Sequence, residues 1–216
     1  MTRPYVSGDD FMPAARNTAL LPSYPMLAAY FAGKRKHPRP PDLLVIHSAS
    51  TGDNPARWLH NPTWREDSAL RHARVTGWPV GRHRKVVCGD GKRRYLILCP
   101  DGLWRRMGGA HISAQSANGD FVQQARLDFD VPHAGGSTFQ GRKGVNRRSI
   151  GIELPAHEGD ELLDQYRALM GELVAIVPSL AFYTTHRAIR KGKTDPVCWS
   201  DERCDVAMAG VGLQRG

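Results

Sequence analysis

The segment 186–201, HRAIRKGKTDPVCWSD, carries several side chains that can bind a metal ion or transfer a proton. Imidazole and carboxylate are groups with which proteins bind zinc, and His186 and Asp195 supply one of each. Gly192 and Pro196 favour a turn that would bring Asp195 back to His186. The basic residues of the segment also suit a solvated loop, so its role depends on partners from elsewhere in the chain.

A second histidine lies in a similar sequence context. The apolar run DLLVIHSAS predicts a buried strand that stops at His47, and LAFYTTHR predicts a strand that ends at His186. If these strands are neighbours in one sheet, both imidazoles project into a cleft at its edge. With the Asp195 carboxylate they would form a three-ligand zinc site whose fourth tetrahedral position stays open, as catalytic zinc requires. The alternative is that each is a hydrogen-bonded surface histidine, which is the commoner role of a single histidine.

Strands and helices alternate along the chain. RRSIGIELP predicts a further strand, and RRYLILCPDGLWRRM predicts two short strands around a Pro-Asp-Gly turn. Residues 112–147 predict a long loop region with a strand or two, and EGDELLDQYRALMGELVAIV has the apolar spacing of a helix. Interleaved elements of this kind favour a single α/β domain.

Residues 1–40 differ in composition from the rest of the chain. Many prolines interrupt them and they end in the basic run GKRKHPRPP, so we predict an irregular, basic, Pro-rich N-terminal arm before a folded domain of residues 41–216. No stretch approaches the roughly 18 apolar residues of a membrane span, and no signal-peptide pattern is present, so we expect synthesis in the cytoplasm. The four cysteines show no CxxC spacing and are expected to be free thiols: Cys88, Cys99, Cys198 and Cys204.

The net charge of the chain is strongly positive. Thirty Lys and Arg against 21 Asp and Glu leave +9 at pH 7. Such a balance favours a polyanionic partner, which can be nucleic acid, an anionic membrane surface or an acidic cell-wall polymer. No helix-turn-helix, RNA-binding sheet signature or zinc finger is recognisable, which argues against a specific nucleic-acid partner.

Four motifs together resemble one enzyme family. LVIHSAS, YLILCPDGLWRRM, RSIGIEL and HRAIRKGKTDP occur in the order and rough spacing of the zinc-dependent N-acetylmuramoyl-L-alanine amidases. This family includes phage lysozyme-like amidases, anhydromuropeptide amidases and peptidoglycan recognition proteins. The resemblance covers about residues 42 to 200, and it implies an α/β fold in which helices flank a central mixed β-sheet and the zinc cleft lies at one sheet edge.

The resemblance also implies roles for individual residues. The metal ligands to Zn²⁺ would be His47, His186 and Asp195. Glu153 in SIGIEL would be the general base, and Lys193 would stabilise the oxyanion. Tyr95 occupies the place where some members carry a tyrosine that faces the reacting water.

Several alternatives stay open at these positions. Cys198 would replace Asp195 as a ligand if the thiolate were used, although Asp195 keeps the Lys-Thr-Asp-Pro register. Glu153 would otherwise be a strand carboxylate paired with Arg147 or Arg148. The segment GGAHISAQ partly resembles the family's aromatic-His-Ala-Gly motif, which makes His111 at most a residue of the cleft.

The implied reaction is hydrolysis of the amide between N-acetylmuramic acid and L-alanine in peptidoglycan, with residues 41–216 as the catalytic domain of a monomer. The positive charge and the lack of a signal pattern favour a phage endolysin that is made in the cytoplasm and acts on the wall in the periplasm, with basic patches attracted to anionic wall or membrane surfaces. Two alternatives are a cytoplasmic muropeptide-recycling amidase and a non-catalytic peptidoglycan-binding module.

Overall fold

The structure is a computed structural model that describes residues 37–48, 110–114, 121–123, 125–155, 160–197 and 199–216, and the backbone of five further strands. The strands, numbered in chain order, are β1 (Phe11–Met12), β2 (Met26–Leu27), β3 (Leu43–Ser48), β4 (His83–Val87), β5 (Arg93–Leu98), β6 (Trp104–Arg106), β7 (Ile112–Ala114), β8 (Phe121–Gln123), β9 (Thr138–Phe139), β10 (Arg142–Lys143), β11 (Ser149–Leu154), β12 (Phe182–Thr185) and β13 (Gln214–Arg215). The helices are α1 (Asp160–Ile176), α2 (His186–Ile189) and α3 (Asp201–Met208), with a 3-10 helix at Val145–Arg148.

A mixed sheet forms the centre of the described fold. Its strand order is β1-β2-β8-β7-β11-β3-β12-β13. The inner strands β7, β11, β3 and β12 run parallel to one another, whereas β7–β8 and β1–β2 are antiparallel pairs. The predicted α/β fold with a central mixed sheet and flanking helices is therefore confirmed.

Successive side chains of the central strand β3 pack into two apolar clusters, one on each face of the sheet. The sequence of β3 is therefore almost continuously apolar. On one face, Leu44 and Ile46 pack with the buried residues of α1 and α3 in the larger core cluster. On the other face, Leu43 and Val45 pack with Ile189 and other residues in a smaller cluster. Because successive side chains of a strand point to opposite faces, one short run serves both clusters.

Helix α1 covers the larger cluster. Its buried residues recur at the three- and four-residue spacing of one helix face, as the sequence predicted: Tyr166, Leu169, Met170 and Leu173. Trp199, just before α3, is fully buried against Tyr166 with ring centroids 5.8 Å apart. This packing fixes α1 and α3 on the face of the sheet that is opposite to the smaller cluster.

Two groups of strands lie away from the middle of the central sheet. One group is at its end and the other forms a separate sheet. Strands β1 and β2 fall in the segment that was predicted to be an irregular arm, and β2 pairs with β8. Strands β4, β5 and β6 form a separate antiparallel sheet, in which β5 pairs with β6, and the predicted Pro-Asp-Gly turn between them falls outside the described residues. Among the described helices, none has the length and apolar composition needed to cross a membrane.

Candidate metal centre

The parallel register of four neighbouring strands places polar side chains at one level of the sheet. His47 on β3 lies opposite Glu153 on β11, and Glu153 lies opposite Ser113 on β7. On the other side of β3, Thr185 is paired with Ile46, so that His186 follows β12 at the level of His47. The rings of the two histidines lie 4.6 Å apart between centroids. The predicted neighbourhood of the two strand-end histidines is thus observed.

A turn returns Asp195 to this row. The Lys193 N–H donates to the Arg190 carbonyl at 3.2 Å, and Gly192 between them has φ +81°, a conformation that favours glycine. The Arg187 N–H then donates to the Asp195 carbonyl at 2.8 Å, which closes the loop against α2. As a result, Asp195 Oδ2 lies 2.9 Å from His186 Nδ1.

Three side chains converge closely enough to hold one metal ion. Asp195 Oδ2 also lies 3.1 Å from His47 Nδ1, and the potential ligand atoms of the three residues lie within 4.8 Å of one another. Ligand atoms around tetrahedral zinc, each at about 2.0–2.1 Å from the ion, are spaced by about 3.3 Å. Both imidazoles are buried, whereas Asp195 is half-buried. The donor set and its spacing fit a zinc ion.

The charge states of these groups also suit a metal. Burial lowers the pKa of His47, against the opposing effect of its hydrogen bond to Asp195, so its imidazole is neutral at pH 7 and has a lone pair to offer. Burial would raise the pKa of Asp195, but hydrogen bonds from His186 and His47 hold it well below its usual range. The Nε2 atom of His186 is buried without a hydrogen-bond partner. The centre therefore combines two imidazoles with one carboxylate.

Glu153 lies beside this centre in a poorly solvated position. Its Oε2 is buried without a hydrogen-bond partner. Burial and the negative charge of Asp195 raise the pKa of Glu153 to about 8, while the charge of Lys193 opposes the shift. The neighbouring Arg148 instead donates to Asp42, with Nε 2.7 Å from Oδ1. Of the two arginines that were alternative partners of Glu153, Arg148 is therefore engaged by Asp42.

Lys193, Tyr95 and Cys198 are the other residues that the sequence singled out for this site. Lys193 is exposed on the returning loop, and its charge acts on both Glu153 and His47. Tyr95 lies on β5 of the separate sheet, and its side chain falls outside the described residues. Cys198 also falls outside them.

The fold is similar to that of a solved protein structure. A crystal structure of a selenomethionine derivative of AmpD superimposes with a TM-score of 0.57 over 88% of this chain and 97% of that chain. This chain is similar to AmpD in fold. The two sequences are 24% identical, a level at which the match establishes the fold alone. No family model and no curated protein matches the chain.

The structure adds His133 to the site, which the sequence interpretation missed. His133 Nδ1 lies 3.0 Å from His47 Nε2. The signal was present, because His133 begins the run His-Ala-Gly shortly before SIGIEL, whereas the comparison with that motif had been made around His111.

His111 proves to have a different place. It is fully buried, its Nδ1 accepts the Gly151 N–H at 3.0 Å, and its Nε2 donates to the Phe129 carbonyl at 2.8 Å. Both ring nitrogens are thus used to hold backbone, so His111 supports the strands around the site and does not line the cleft beside the ligands.

Proposed function

We propose that this protein is a zinc-dependent N-acetylmuramoyl-L-alanine amidase. The observation that carries the proposal is the convergence of two histidine Nδ1 atoms on Asp195 Oδ2 at 2.9 and 3.1 Å, with Glu153 on the adjacent strand. The AmpD fold and the resemblance of the SIGIEL and Lys-Thr-Asp-Pro motifs support the same reaction class.

His47, His186 and Asp195 would hold the ion, which when bound supplies a Lewis acid that polarises the scissile carbonyl and makes water a better nucleophile. Glu153 takes a proton from the attacking water and delivers it to the leaving nitrogen. Burial raises the pKa of this carboxyl to about 8 in the metal-free protein, and the positive charge of a bound ion would lower it toward the range in which the group both accepts and releases a proton near neutral pH. Lys193 places a positive charge beside the negative charge that develops on the carbonyl oxygen.

The biological role that we propose is that of a phage endolysin. The net charge of +9 would hold the enzyme on anionic wall material. Exposed basic residues that the structure describes include Arg39, Arg142, Lys143, Lys191 and Lys193. The side chains of Lys34, Arg35 and Lys36 in the basic run, and those of the basic residues on β4 and β5, fall outside the described residues. We propose that residues 1–40 assist this attraction, that residues 41–216 form the catalytic domain, and that Tyr95 faces the reacting water.

The decisive experiment combines metal analysis with activity. We expect the purified protein to contain about one zinc per chain, to release the peptide from muramic acid, and to lose this activity on chelation and regain it with added zinc. A chain that holds zinc but cleaves neither intact sacculi nor soluble fragments would favour the non-catalytic binding module. Full activity after exhaustive chelation would refute the zinc mechanism.

The two amidase roles separate on substrate and salt. An endolysin should digest intact sacculi, and this digestion should fall steeply as salt rises, because surface attraction is screened beyond about 8 Å at physiological ionic strength. Cleavage of a small soluble muropeptide should change little. Cleavage of soluble anhydro-fragments alone would favour the recycling amidase.

A further inference from the structure

A buried line of hydrogen bonds leads away from the candidate metal centre behind His47. His47 Nε2 contacts His133 Nδ1 at 3.0 Å, and His133 Nε2 contacts Ser149 Oγ at 2.9 Å. Ser149 Oγ lies 2.7 Å from the Val145 carbonyl. The line begins at a candidate ligand and ends at a main-chain oxygen, so every group along it has a defined partner.

Close packing holds the His133 ring in this line. The ring lies over Gly151, where an added Cβ would come within 2.5 Å of His133 Cγ. It meets the His47 ring edge to face, at 5.2 Å and 88° between planes. A side chain at position 151 would therefore collide with the His133 imidazole. This collision explains why the SIGIEL motif has glycine at this position.

The direction of each hydrogen bond depends on the state of His47. A neutral imidazole carries one hydrogen, on one of its two nitrogens. Without a metal, Asp195 accepts from His47 Nδ1–H, so His47 Nε2 must accept from His133 Nδ1–H. His133 Nε2 then accepts from the Ser149 hydroxyl, which in this arrangement does not donate to the Val145 carbonyl.

With a metal on His47 Nδ1, the same line can run the other way. The His47 hydrogen is then on Nε2 and is donated to His133 Nδ1, and the His133 hydrogen is on Nε2 and is donated to Ser149 Oγ. The hydroxyl of Ser149 turns to the Val145 carbonyl. Both arrangements contain the same number of hydrogens, and all three hydrogen bonds are kept in the metal-bound arrangement.

We propose that His133 and Ser149 are positioning residues that hold His47 with its Nδ1 lone pair toward the metal, and that the tautomer of His133 reverses when zinc binds. This inference rests on the proposed zinc centre. Neighbours of this kind, which hydrogen-bond the second nitrogen of a ligand histidine, commonly change metal affinity by about 10- to 100-fold when removed.

The tautomers can be observed directly. In protein with ¹⁵N-labelled histidine, long-range ¹H–¹⁵N spectra report which nitrogen of each ring carries the hydrogen. We expect His133 to be Nδ1-protonated without metal and Nε2-protonated after one equivalent of zinc. An unchanged tautomer, or Nδ1–H in the zinc-bound protein, would overturn the proposal.

Zinc affinity supplies the second readout. In competition with a chromophoric chelator, we expect His133→Phe to weaken zinc binding about 10- to 100-fold. His133→Gln, whose amide oxygen can accept from His47 Nε2–H, should recover part of that loss, and Ser149→Ala should weaken binding several-fold. Tyr166→Phe, which removes a buried hydroxyl in the cluster on the opposite face, is the matched control and should bind zinc like the wild type.

The outcomes separate this inference from the proposed function. Tight zinc binding by the wild type with equal affinities for the Phe and Gln variants would overturn the positioning role alone. No tight zinc binding by the wild type would remove the zinc centre and this inference together. If His133→Phe does not fold, as judged by circular dichroism without zinc, Ser149→Ala and the wild-type tautomers still decide the question.

Discussion

The two faces of strands β3 and β11 differ in what they contribute. On the face covered by α1 and α3, Leu44, Ile46, Ile150 and Ile152 are fully buried among apolar side chains. The opposite face is more polar, because Val45 is followed there by His47 on β3, and Gly151 lies between Ser149 and Glu153 on β11.

This difference shows how one pair of strands supports both stability and chemistry. The helix-covered face removes apolar surface from water, which is the main favourable term in folding. The other face leaves Glu153 Oε2 buried without a hydrogen-bond partner, which costs stability unless a bound ligand supplies one. Changes on the two faces should therefore affect different measurements.

The largest effect is expected from the polar face, on removal of a ligand. Asp195→Ala leaves two imidazoles without the carboxylate that both contact, so we expect loss of stoichiometric zinc and at least a thousandfold loss of amidase activity. Zinc analysis and turnover on a soluble muropeptide measure this. Retention of zinc and activity would show that another group, such as Cys198, completes the centre.

Next in size is the effect of Glu153→Gln on the same face. The amide cannot take the proton from water, so we expect turnover to fall roughly a hundredfold or more while zinc content stays unchanged. Because Gln also removes a buried carboxylate, the variant should unfold no more easily than the wild type. Loss of zinc together with activity would mean that Glu153 supports the metal and not the proton transfer.

The helix-covered face should give the opposite pattern. Leu44→Ala opens a cavity in the larger cluster, so we expect the free energy of unfolding to fall by about 2–5 kcal/mol. Denaturant unfolding measures the loss, and zinc affinity of the folded protein should remain that of the wild type. A large drop in zinc affinity would show that the two faces are not independent.

The last effect concerns pH in the zinc-free protein and involves a single proton. The pKa of Glu153 in the folded state is about 8, above its ordinary value of 4.5, so the folded state holds this proton more tightly. The resulting stability is fully present below pH 4.5 and is lost as pH rises through 8, by at most about 1.4 kcal/mol per pH unit. Subtracting the profile of Glu153→Gln isolates this group, and a flat difference would contradict the raised pKa.

Local sequence was enough to predict the elements that carry the site. The apolar run before His47, the SIGIEL strand and the periodic helix α1 were all predicted, because burial on both faces of a strand or on one face of a helix leaves a direct mark on composition. The loop from His186 to Asp195 was also predictable, since Gly192 and Pro196 mark its turn.

Which further residues lie beside the candidate metal centre depends on the tertiary structure alone. His133 meets His47 across 86 positions of sequence, and although the run His-Ala-Gly marks His133, no local pattern shows that its ring contacts His47 while that of His111 holds backbone. Likewise, the register of β11 against β3 sets Glu153 beside His47, and the strand order places β5 in a separate sheet from them. Short-range patterns report burial and turns, whereas the partners of a buried polar group depend on strand order and register, which form between distant segments.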